Sequence, residues 1–508
     1  MKTFSKVNKI QLLYVENVIS RKNKTVQQIV SFFMQLDNLG YDKQCDVVWA
    51  GEDGEWSSLP ASYHSALGDN TEYWRAKITL MGTSEKSLPG NIVFSLRYLV
   101  QGQEYWDNNE GLNYSSEADS GIKVTSNHIV QNIGFESRLD VKQKSIPIVV
   151  SINESIQAQA VTVHWTVDNW LHTYKNPCQY KRNYWDEVAC SNARNPNQYG
   201  SQIWQGLLTI DNAFRVQYII SCEVDDEVFW DNNGDKNYSL SHEALKVLIL
   251  NLHCYQEDNQ DMKFAQIAKA INEQNADVIC FQEVAELWND GNGNWDTNSA
   301  KIINDQLLKP YHIYTDWAHL GFDKYREGVA ILSRYPLLKQ SSKYVSTVHS
   351  PYSINSRKVV MAQINVPYIG LVNVYSAHLS WWSDGFSEQF KNLSQWADDN
   401  QTQEVKATLL CGDFNITAGS EGYHFVVNDN RYDDQFLAVN SQGAFEKIFK
   451  VNDPHWQHYL ADDYRIDYIF MNKTSGLHIT DGNVLFTDED YGRVSDHCGY
   501  LMAFEPKF

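Results

Sequence analysis

A tryptophan-containing stretch that occurs twice limits what the first half of this chain can fold into. Residues 104–114 read EYWDNNEGLNY and residues 227–238 read EVFWDNNGDKNY, so WDNN is followed in both by an Asn-Tyr pair at the same distance. Short strand-like runs, FSLRY (94–98) and FRVQY (214–218), precede the two copies. Landmarks that repeat in the same order predict two copies of one structural domain.

The sequence around each copy indicates β structure. Short runs of alternating apolar and polar residues are separated by turns rich in Gly, Asn and Asp, which is typical of β-sandwiches. We therefore predict two immunoglobulin-like β-sandwiches at 9–125 and 145–240, joined by a polar segment. The second copy carries an insertion at 175–200.

The pattern changes after Tyr238. ALKVLILNLHCY (244–255) and ADVICFQEV (276–284) are apolar strand-like runs, and MKFAQIAKAINEQ (262–274) between them has apolar residues at helical spacing. Strands and helices alternate from there to the end of the chain. This alternation predicts a layered α/β domain over 245–508.

Composition narrows the partners and the compartment. The 508 residues carry a formal net charge of −21. This charge argues against a general nucleic-acid-binding protein, because such proteins bind the phosphate backbone through Lys and Arg. The eight cysteines have no metal-like spacing and several lie in apolar runs, so we expect reduced thiols in a cytoplasmic protein. No signal segment or membrane span is expected.

The repeated stretch has two interpretations. An exposed indole can cover the apolar face of a sugar ring while asparagine side chains bond to its hydroxyls. Alternatively, the two tryptophans are core residues beside an Asn-rich turn.

A resemblance favours sugar binding. The pattern F-x-x-x-Y followed by WDNN-x-x-x-NY resembles the signature of family 21 carbohydrate-binding modules, which are β-sandwiches that bind starch and glycogen. The resemblance implies an α-glucan ligand for the two modules. The residues it points to are Trp106, Asn109, Asn113 and Tyr114 in the first copy and Trp230, Asn233, Asn237 and Tyr238 in the second.

Polar residues end several buried strand-like runs of the α/β domain. They occur in LILNLHCY, CFQEV, VYSAHLSWW, LLCGDFN, YRIDYIF and RVSDHC. Residues at strand ends face the loops where α/β sandwiches keep their functional sites. Carboxylate and amide oxygens suit Mg²⁺, with Mn²⁺ as the alternative ion, and no His or Cys cluster indicates zinc. Such a site can hydrolyse a phosphate ester.

The order of these motifs resembles the endonuclease/exonuclease/phosphatase superfamily over nearly all of 245–508. The resemblance implies a four-layered α/β-sandwich like that of deoxyribonuclease. It assigns metal binding to Asn251, Glu283 and Asp496, and catalysis to His378, Asp413, Asn415, Asp467 and His497. In this assignment His378 and Asn415 bind the phosphate, Asp467 orients His497, and either Asp413 or His497 activates water.

The substrate is less constrained than the chemistry. Trp381 and Trp382 follow the catalytic-type histidine and are either core residues or a platform for a sugar. Arg326 and Arg357 could bind a phosphate. The AHLSWW stretch resembles bacterial phosphatases that act on maltose 6′-phosphate, and two sugar-type modules in the same chain agree with a phosphorylated α-glucoside as substrate.

Two other functions stay open at this point. One is a phosphodiesterase acting on nucleic acid or sphingomyelin, for which neither a basic groove nor a membrane-inserting hairpin is evident. The other is a non-enzymatic glycogen-binding scaffold, which is disfavoured because every motif residue is present. We expect no nucleic-acid or membrane partner.

Overall fold

The computed structural model describes residues 9–22, 25–68, 70–83, 87–125, 128–134, 138–140, 142–153, 155–181, 201–440 and 465–507. The chain forms two compact units, Met1–His242 and Glu243–Phe508. Most of the insertion predicted in the second copy, residues 182–200, lies outside the described residues.

The first sandwich consists of two five-stranded antiparallel sheets. One has the order β10-β1-β2-β6-β5, and the other has the order β4-β3-β7-β8, with β9 also pairing with β7. In β7 the alternate residues from Ile92 to Val100 are buried, as expected for a strand with one face on a core. The strands are β1 Ile10–Lys22, β2 Thr25–Asp37, β3 Lys43–Ala50, β4 Trp56–Pro60, β5 Ser62–Gly68, β6 Thr71–Met81, β7 Ile92–Val100, β8 Gln103–Asp107, β9 Tyr114–Ser116 and β10 Gly121–Val124.

The second sandwich repeats this plan. Its sheets have the orders β11-β12-β16-β15 and β14-β13-β17-β18, with β19 pairing with β17 as β9 pairs with β7. The strands are β11 Val130–Asn132, β12 Ser145–Ile152, β13 Ala160–Thr166, β14 Tyr174–Pro177, β15 Gln179–Lys181, β16 Gln202–Thr209, β17 Arg215–Val224, β18 Glu227–Asp231 and β19 Tyr238–Ser241. Leu13, Phe33 and Tyr73 of the first sandwich join the core of the second, while the first sandwich keeps a separate core around Phe32 and Phe94.

The second unit contains two six-stranded sheets. Their orders are β22-β23-β21-β20-β31-β30 and β24-β25-β26-β27-β29-β28. β20 and β21 run parallel, as do β26 and β27, and a helix connects the strands of each pair, which is the usual crossover between parallel strands. The strands are β20 Leu245–Asn251, β21 Val278–Leu287, β22 His312–Gly321, β23 Tyr325–Ser333, β24 Leu337–Tyr344, β25 Lys358–Val366, β26 Gly370–His378, β27 Val405–Asp413, β28 Tyr432–Asp434, β29 Asp467–Asn472, β30 Leu477–Leu485 and β31 Gly499–Pro506.

Helices cover the outer faces of these two sheets. The apolar stripe of α1 packs on the sheet of β20 and β21, and that of α3 packs on the sheet of β26 and β27. The helices are α1 Gln260–Gln274, α2 Ser299–Asp305, α3 Phe386–Asp399, α4 Glu421–Val427 and α5 Gln435–Val439. The predicted fold class, two β-sandwiches followed by a layered α/β-sandwich, is confirmed.

The cysteines that the structure describes are reduced, and its helices are short. The seven cysteines in the described ranges are free thiols, and six of them are buried. Within the same ranges, no helix has both the length and the apolar character needed to cross a membrane.

Candidate active site

Strand ends bring the predicted polar residues of the second unit together. Asn251 ends β20, and His378 and Asp413 end the neighbouring parallel strands β26 and β27. Asp467 begins the antiparallel strand β29, so the strand register sets His378, Asp413 and Asp467 side by side. These side chains therefore meet at one end of the sandwich.

Glu283 reaches this end through a break in its strand. The pairing of β21 with β23 shifts between Phe281 and Val284, and Glu283 has φ 50°. A bulge of this kind re-aims a side chain, and a left-handed backbone at a residue other than glycine costs free energy. Asn251 Nδ2 donates to Glu283 Oε1 at 2.9 Å and to Asp413 Oδ2 at 3.0 Å. Burial and the nearby Asp496 raise the pKa of Glu283.

Gly412 allows the GDFN turn to form. Its φ is 133°, and a Cβ atom there would lie 2.1 Å from the Ala377 carbonyl oxygen, so only glycine fits. The turn then directs Asp413 Oδ1 to accept the Asn415 backbone N–H at 2.8 Å. Asn415 Nδ2 donates to the Leu379 carbonyl at 2.8 Å, which joins the turn to the strand end that carries His378.

A histidine between carboxylates forms one flank of the centre. His497 Nδ1 lies 2.7 Å from Asp467 Oδ2, and its Nε2 lies 3.8 Å from Asp413 Oδ2 and 4.0 Å from Asp496 Oδ1. Although burial opposes the charged ring, Asp467 and Asp496 raise the pKa of His497 well above its ordinary value. Burial and Asp467 raise the pKa of Asp413 to about 7. The flank therefore holds ionisable groups that can exchange a proton with water.

His378 has the opposite electrostatic setting. Its Nε2 lies 3.7 Å from Asp413 Oδ2, but burial and the Arg357 guanidinium lower the pKa of His378 well below its ordinary value. A neutral imidazole can donate to or accept from a phosphate oxygen without adding charge.

Among the residues that the structure describes, three groups of side chains could hold a metal ion. In each group the candidate ligand atoms lie within 4.8 Å of one another. The groups are Glu283, His378 and Asp413; Asp413, Asp467 and His497; and His253, Glu257 and Asp496. The buried Asp467 Oδ1 has no hydrogen-bond partner among the described residues. Clustered carboxylates at a buried strand end, with an unsatisfied oxygen among them, fit a hard divalent cation.

The two predicted arginines lie in different surroundings. Arg357 precedes β25, its Nε donates to Ser380 Oγ at 3.2 Å, and Glu327, Asp413 and Glu283 all act on its charge. Arg326 instead pairs with Glu286 Oε1 at 2.6 Å and lies over Trp317. Of these two arginines, only Arg357 interacts with the cluster of Glu283 and Asp413, as far as the described residues show.

The two predicted tryptophans also differ. Trp381 is 37% exposed. Trp382 is half-buried, packs on Phe386 and Phe425, and lines a cavity of about 670 Å³ beside α3 and α4. Trp381 is therefore the more accessible of the two.

Sequence reasoning missed four polar residues near the centre. His253 and Glu257 follow β20, with His253 Nδ1 2.7 Å from Glu257 Oε1. His319 and Glu327 come from β22 and β23, with His319 Nε2 3.5 Å from Glu327 Oε1. The acidic residue before GVAIL in the β23 run was the available signal for Glu327, whereas the His319 pairing depends on strand register.

The repeated turns of the first unit explain why asparagine recurs there. Asn109 Nδ2 donates to the Asn113 carbonyl, and Asn233 Nδ2 donates in the same way to the Asn237 carbonyl, at 3.0 and 3.1 Å. All four have positive φ, which asparagine tolerates better than most residues. The asparagines therefore close the turns.

The aromatic residues of these turns divide into two roles. Tyr114 and Tyr238 donate their hydroxyls to Asp107 and Asp231, and Tyr238 is buried. Trp106 and Trp230 are 44% and 51% exposed. The tyrosines fasten the turns, and the indoles are left facing solvent.

The second turn also contacts the first sandwich. Tyr73 donates its hydroxyl to Asn233 Oδ1, and Lys236 Nζ donates to Thr71 Oγ1 at 2.8 Å. Lys236 belongs to the three-residue segment that differs between the two copies of the motif. The residues that distinguish the second copy therefore include one that contacts the first sandwich.

Comparison with known proteins identifies the parts of the chain. Residues 250–497 match the Endonuclease/Exonuclease/phosphatase family, and residues 8–117 and 127–241 each match the Carbohydrate/starch-binding module (family 21). Glucoamylase 1 of Rhizopus oryzae is 32% identical over 84 residues, which are 16% of this chain and 13% of that protein. Protein phosphatase 1 regulatory subunit 3E of Mus musculus is 37% identical over 78 residues, 15% of this chain and 27% of that protein. The chain thus spans less than a third of the length of either relative.

Solved structures resemble about half of the chain. An endonuclease/exonuclease/phosphatase family protein from Leptotrichia buccalis is 28% identical, with a TM-score of 0.45, over 52% of this chain and 100% of that one. A mannosyl-6-phosphatase from Bacteroides thetaiotaomicron is 15% identical, with a TM-score of 0.37, over 52% of this chain and 100% of that one. From the family matches, the chain carries two family 21 carbohydrate/starch-binding modules, and its C-terminal domain belongs to the endonuclease/exonuclease/phosphatase family.

Proposed function

We propose that this protein is a divalent-metal-dependent phosphomonoesterase that removes phosphate from a phosphorylated α-glucoside, with maltose 6′-phosphate as the substrate. The carboxylate and histidine cluster at the strand ends, built around Glu283, Asp413 and His497, carries the phosphoesterase part of the proposal. Two starch-binding modules in the same chain support the glucoside part.

The residues of the centre divide the work of such a reaction. Arg357 and His378 face phosphate oxygens, one as a fixed cation and the other as a neutral donor. Asp413 takes the proton of the attacking water while His497 is charged, as its raised pKa indicates, and a neutral His497 is the alternative acceptor. Asp467 holds the His497 ring through Nδ1 and so directs its Nε2 towards Asp413.

Mg²⁺ is the ion that this donor set suits best, with Mn²⁺ as its substitute. Glu283, Asn251 and Asp496 would hold it, because their oxygens are hard ligands and the raised pKa of Glu283 reflects a buried carboxylate near another carboxylate. When bound, such an ion polarises the phosphate ester and offsets the negative charge that develops during hydrolysis.

The sugar beyond the phosphate needs its own contacts, because every phosphomonoester presents the same phosphate oxygens. Trp381 is exposed three residues after His378, the last residue of β26, and it directly follows Ser380, whose Oγ accepts from Arg357 Nε. Its indole face suits the apolar face of a glucose ring. The free cysteines support a further part of the proposal, that the protein works in the reducing cytoplasm.

A comparison of substrates tests this proposal. We expect kcat/KM for maltose 6′-phosphate to exceed that for glucose 6-phosphate by at least about fivefold, because one additional sugar contact is worth about 1 kcal/mol or more. Trp381→Ala should narrow this ratio. Trp382→Ala serves as the matched variant, since loss of its packing on Phe386 and Phe425 should mainly lower the melting temperature.

The same assay separates the alternatives. Equal kcat/KM values for the two sugar phosphates would remove the disaccharide from the proposal. Efficient cleavage of double-stranded DNA would replace it with a nuclease, and absence of any hydrolysis in Mg²⁺ or Mn²⁺ would leave a glucan-binding scaffold.

The starch-binding modules lead to a separate prediction. Trp106→Ala should weaken retention on an α-glucan column without unfolding the protein, because its indole is already exposed and its loss costs about 1 kcal/mol of stacking. Tyr238→Phe is the contrasting variant: it removes a buried hydroxyl bonded to Asp231 and should lower thermal stability. Unchanged retention of Trp106→Ala and Trp230→Ala would exclude these indoles as the glucan contacts.

A further inference from the structure

The strand order arranges the polar side chains of the C-terminal domain into a centre and two flanks. β21 faces β26 and β27 across the sandwich, which sets Glu283 near His378 and Asp413 in the centre. β29 and the segment before β31 supply Asp467 and His497 on one side. The opposite side is formed by β22, β23 and β25, and two of its polar residues, His319 and Glu327, have no role in the reaction as described above.

A histidine and a glutamate meet on this opposite flank. His319 Nδ1 lies 3.2 Å from the Ser356 carbonyl oxygen. A carbonyl oxygen can only accept, so Nδ1 must carry a hydrogen. The other ring nitrogen, Nε2, lies 3.5 Å from Glu327 Oε1. The two groups can face each other favourably only if one proton lies between them.

The surroundings place that proton on the glutamate. Burial and Arg357 lower the pKa of His319 to about 4, so its ring is neutral at neutral pH. Burial and the carboxylate of Glu283 raise the pKa of Glu327 to about 8, while Arg357 and His253 oppose that rise. Glu327 is also the more accessible partner, because its side chain is 12% exposed and that of His319 is 4% exposed.

The pair of His319 and Glu327 is linked to Arg357, the proposed phosphate-binding arginine. Ser356, which sets the hydrogen on His319, directly precedes Arg357, and the Arg357 backbone N–H donates to Ser346 Oγ at 2.8 Å. Of the nearby charges, that of Glu327 acts most strongly on the Arg357 guanidinium and favours its charged form, against the effect of burial. Asp413, which contacts His497 on the first flank, also acts on the Arg357 charge, so a phosphate held by Arg357 would be near both Glu327 and Asp413.

We propose that Glu327, held by His319, is the general acid that protonates the leaving oxygen, an inference that rests on the proposed phosphomonoesterase function. Attacking and leaving oxygens lie roughly in line at phosphorus, so a base on one flank requires the leaving group on the other. The oxygen of water forms a bond to phosphorus and gives its proton to Asp413 or His497. The bond from phosphorus to the sugar oxygen breaks, its electron pair stays on that oxygen, and the Glu327 proton neutralises it. Glu327 then regains a proton from solvent.

Leaving-group dependence tests this role. Glu327→Gln keeps the shape and a hydrogen-bond donor but cannot transfer a proton. We expect its kcat to fall about a hundredfold or more on an alkyl ester such as glucose 6-phosphate or glycerol phosphate, since general acid catalysis contributes on that scale. With p-nitrophenyl phosphate, whose phenolate leaves without a proton, kcat should change by less than about threefold.

A second variant and a pH profile separate catalysis from positioning. His319→Gln should lower kcat on the alkyl ester less than Glu327→Gln does, because Glu327 keeps its proton. In the wild-type enzyme, kcat on the alkyl ester should decline with rising pH as Glu327 loses its proton, and this decline should be absent with p-nitrophenyl phosphate.

The outcomes distinguish this inference from the proposed function. Equal losses on both esters, or no loss on either, would overturn the role of Glu327 while leaving the phosphatase proposal intact. A wild-type enzyme inactive on every phosphomonoester would instead overturn the proposed function. A melting temperature of Glu327→Gln at or above that of the wild type would show that the variant is folded.

Discussion

Replacing Glu283 by glutamine is expected to lower kcat for phosphate release by about a thousandfold or more, because a metal-binding carboxylate supports several kcal/mol of transition-state stabilisation. Glu283 is aimed into the centre by the bulge of β21, and its Oε1 accepts from Asn251. Glutamine can still accept that hydrogen bond through its amide oxygen, so the change removes charge and leaves shape.

Metal binding gives this prediction a readout that does not depend on activity. Added Mg²⁺ should raise the melting temperature of the wild-type protein, because a ligand that binds only the folded state stabilises it. The same addition should leave the melting temperature of Glu283→Gln nearly unchanged. Without metal, the variant should be at least as stable as the wild type, since burial and Asp496 already disfavour the charged carboxylate.

A surface glutamate provides the matched control. Glu273→Gln on α1 makes the same chemical change where the carboxylate is exposed and pairs only loosely with Lys269. Its kcat and its response to Mg²⁺ should match the wild type. If Glu283→Gln kept wild-type activity, or if chelator had no effect on phosphate release, Glu283 would not be the metal-binding carboxylate.

Much of the fold could be predicted from the sequence, because the spacing of apolar residues that marks a strand or a helix is local. Alternation in β7 and helical spacing in α1 each follow from which face of one element is buried, and both are visible within about ten residues. The repeat of WDNN then indicated that one sandwich occurs twice. The part that Phe33 and Tyr73 play in the core of the second sandwich was not visible, because both look like ordinary strand residues until the second sandwich covers them.

The candidate centre was predictable in part for a similar reason. Polar residues that end buried strands stand out in the sequence, and parallel strands place those ends together. The pairing of His319 with Glu327 depends instead on the register of β22 with β23, where an irregularity at Trp317 and His319 brings the two residues opposite each other. A single sequence contains no measure of that register.

Residues that are adjacent in the sequence can have different neighbours in the fold, and strand geometry decides which neighbours each one has. Arg326 and Glu327 are adjacent, yet successive side chains in a strand point to opposite faces. Arg326 pairs with Glu286, whereas Glu327 acts on Arg357 and Glu283. Trp381 and Trp382 divide in the same way between solvent and the packing of Phe386.

The repeated asparagines show how one motif can serve two needs. The proposed sugar contact needs an exposed indole beside a rigid turn, and the turn needs residues that accept positive φ and close it with a side-chain bond. Asn109 and Asn233 meet the second need in the two copies. The motif is therefore a requirement of the fold in both sandwiches, whether or not each binds glucan.

The second large loss of kcat is expected from changes to Asp413 and His497, the pair proposed to receive the proton of the attacking water. Asp413→Asn and His497→Ala should each lower kcat by a factor on the order of 10² to 10⁴, because each removes a group from the same proton transfer. Asp413 Oδ2 and His497 Nε2 are 3.8 Å apart, and Asp467 fixes the ring from its other nitrogen.

The double variant should lose little more activity than the worse single variant, because residues that act as one unit are not additive. Asp467→Asn should cost less than His497→Ala, since the ring remains and only its orientation and pKa change. Asp434→Asn is the control for a buried aspartate outside the centre: its ion pair with Arg465 should make the variant less stable while kcat of the folded protein is kept. If the losses of kcat in the Asp413 and His497 variants were fully additive, the two residues would act in separate steps. A wild-type kcat in either single variant would show that the replaced residue takes no part in the proton transfer.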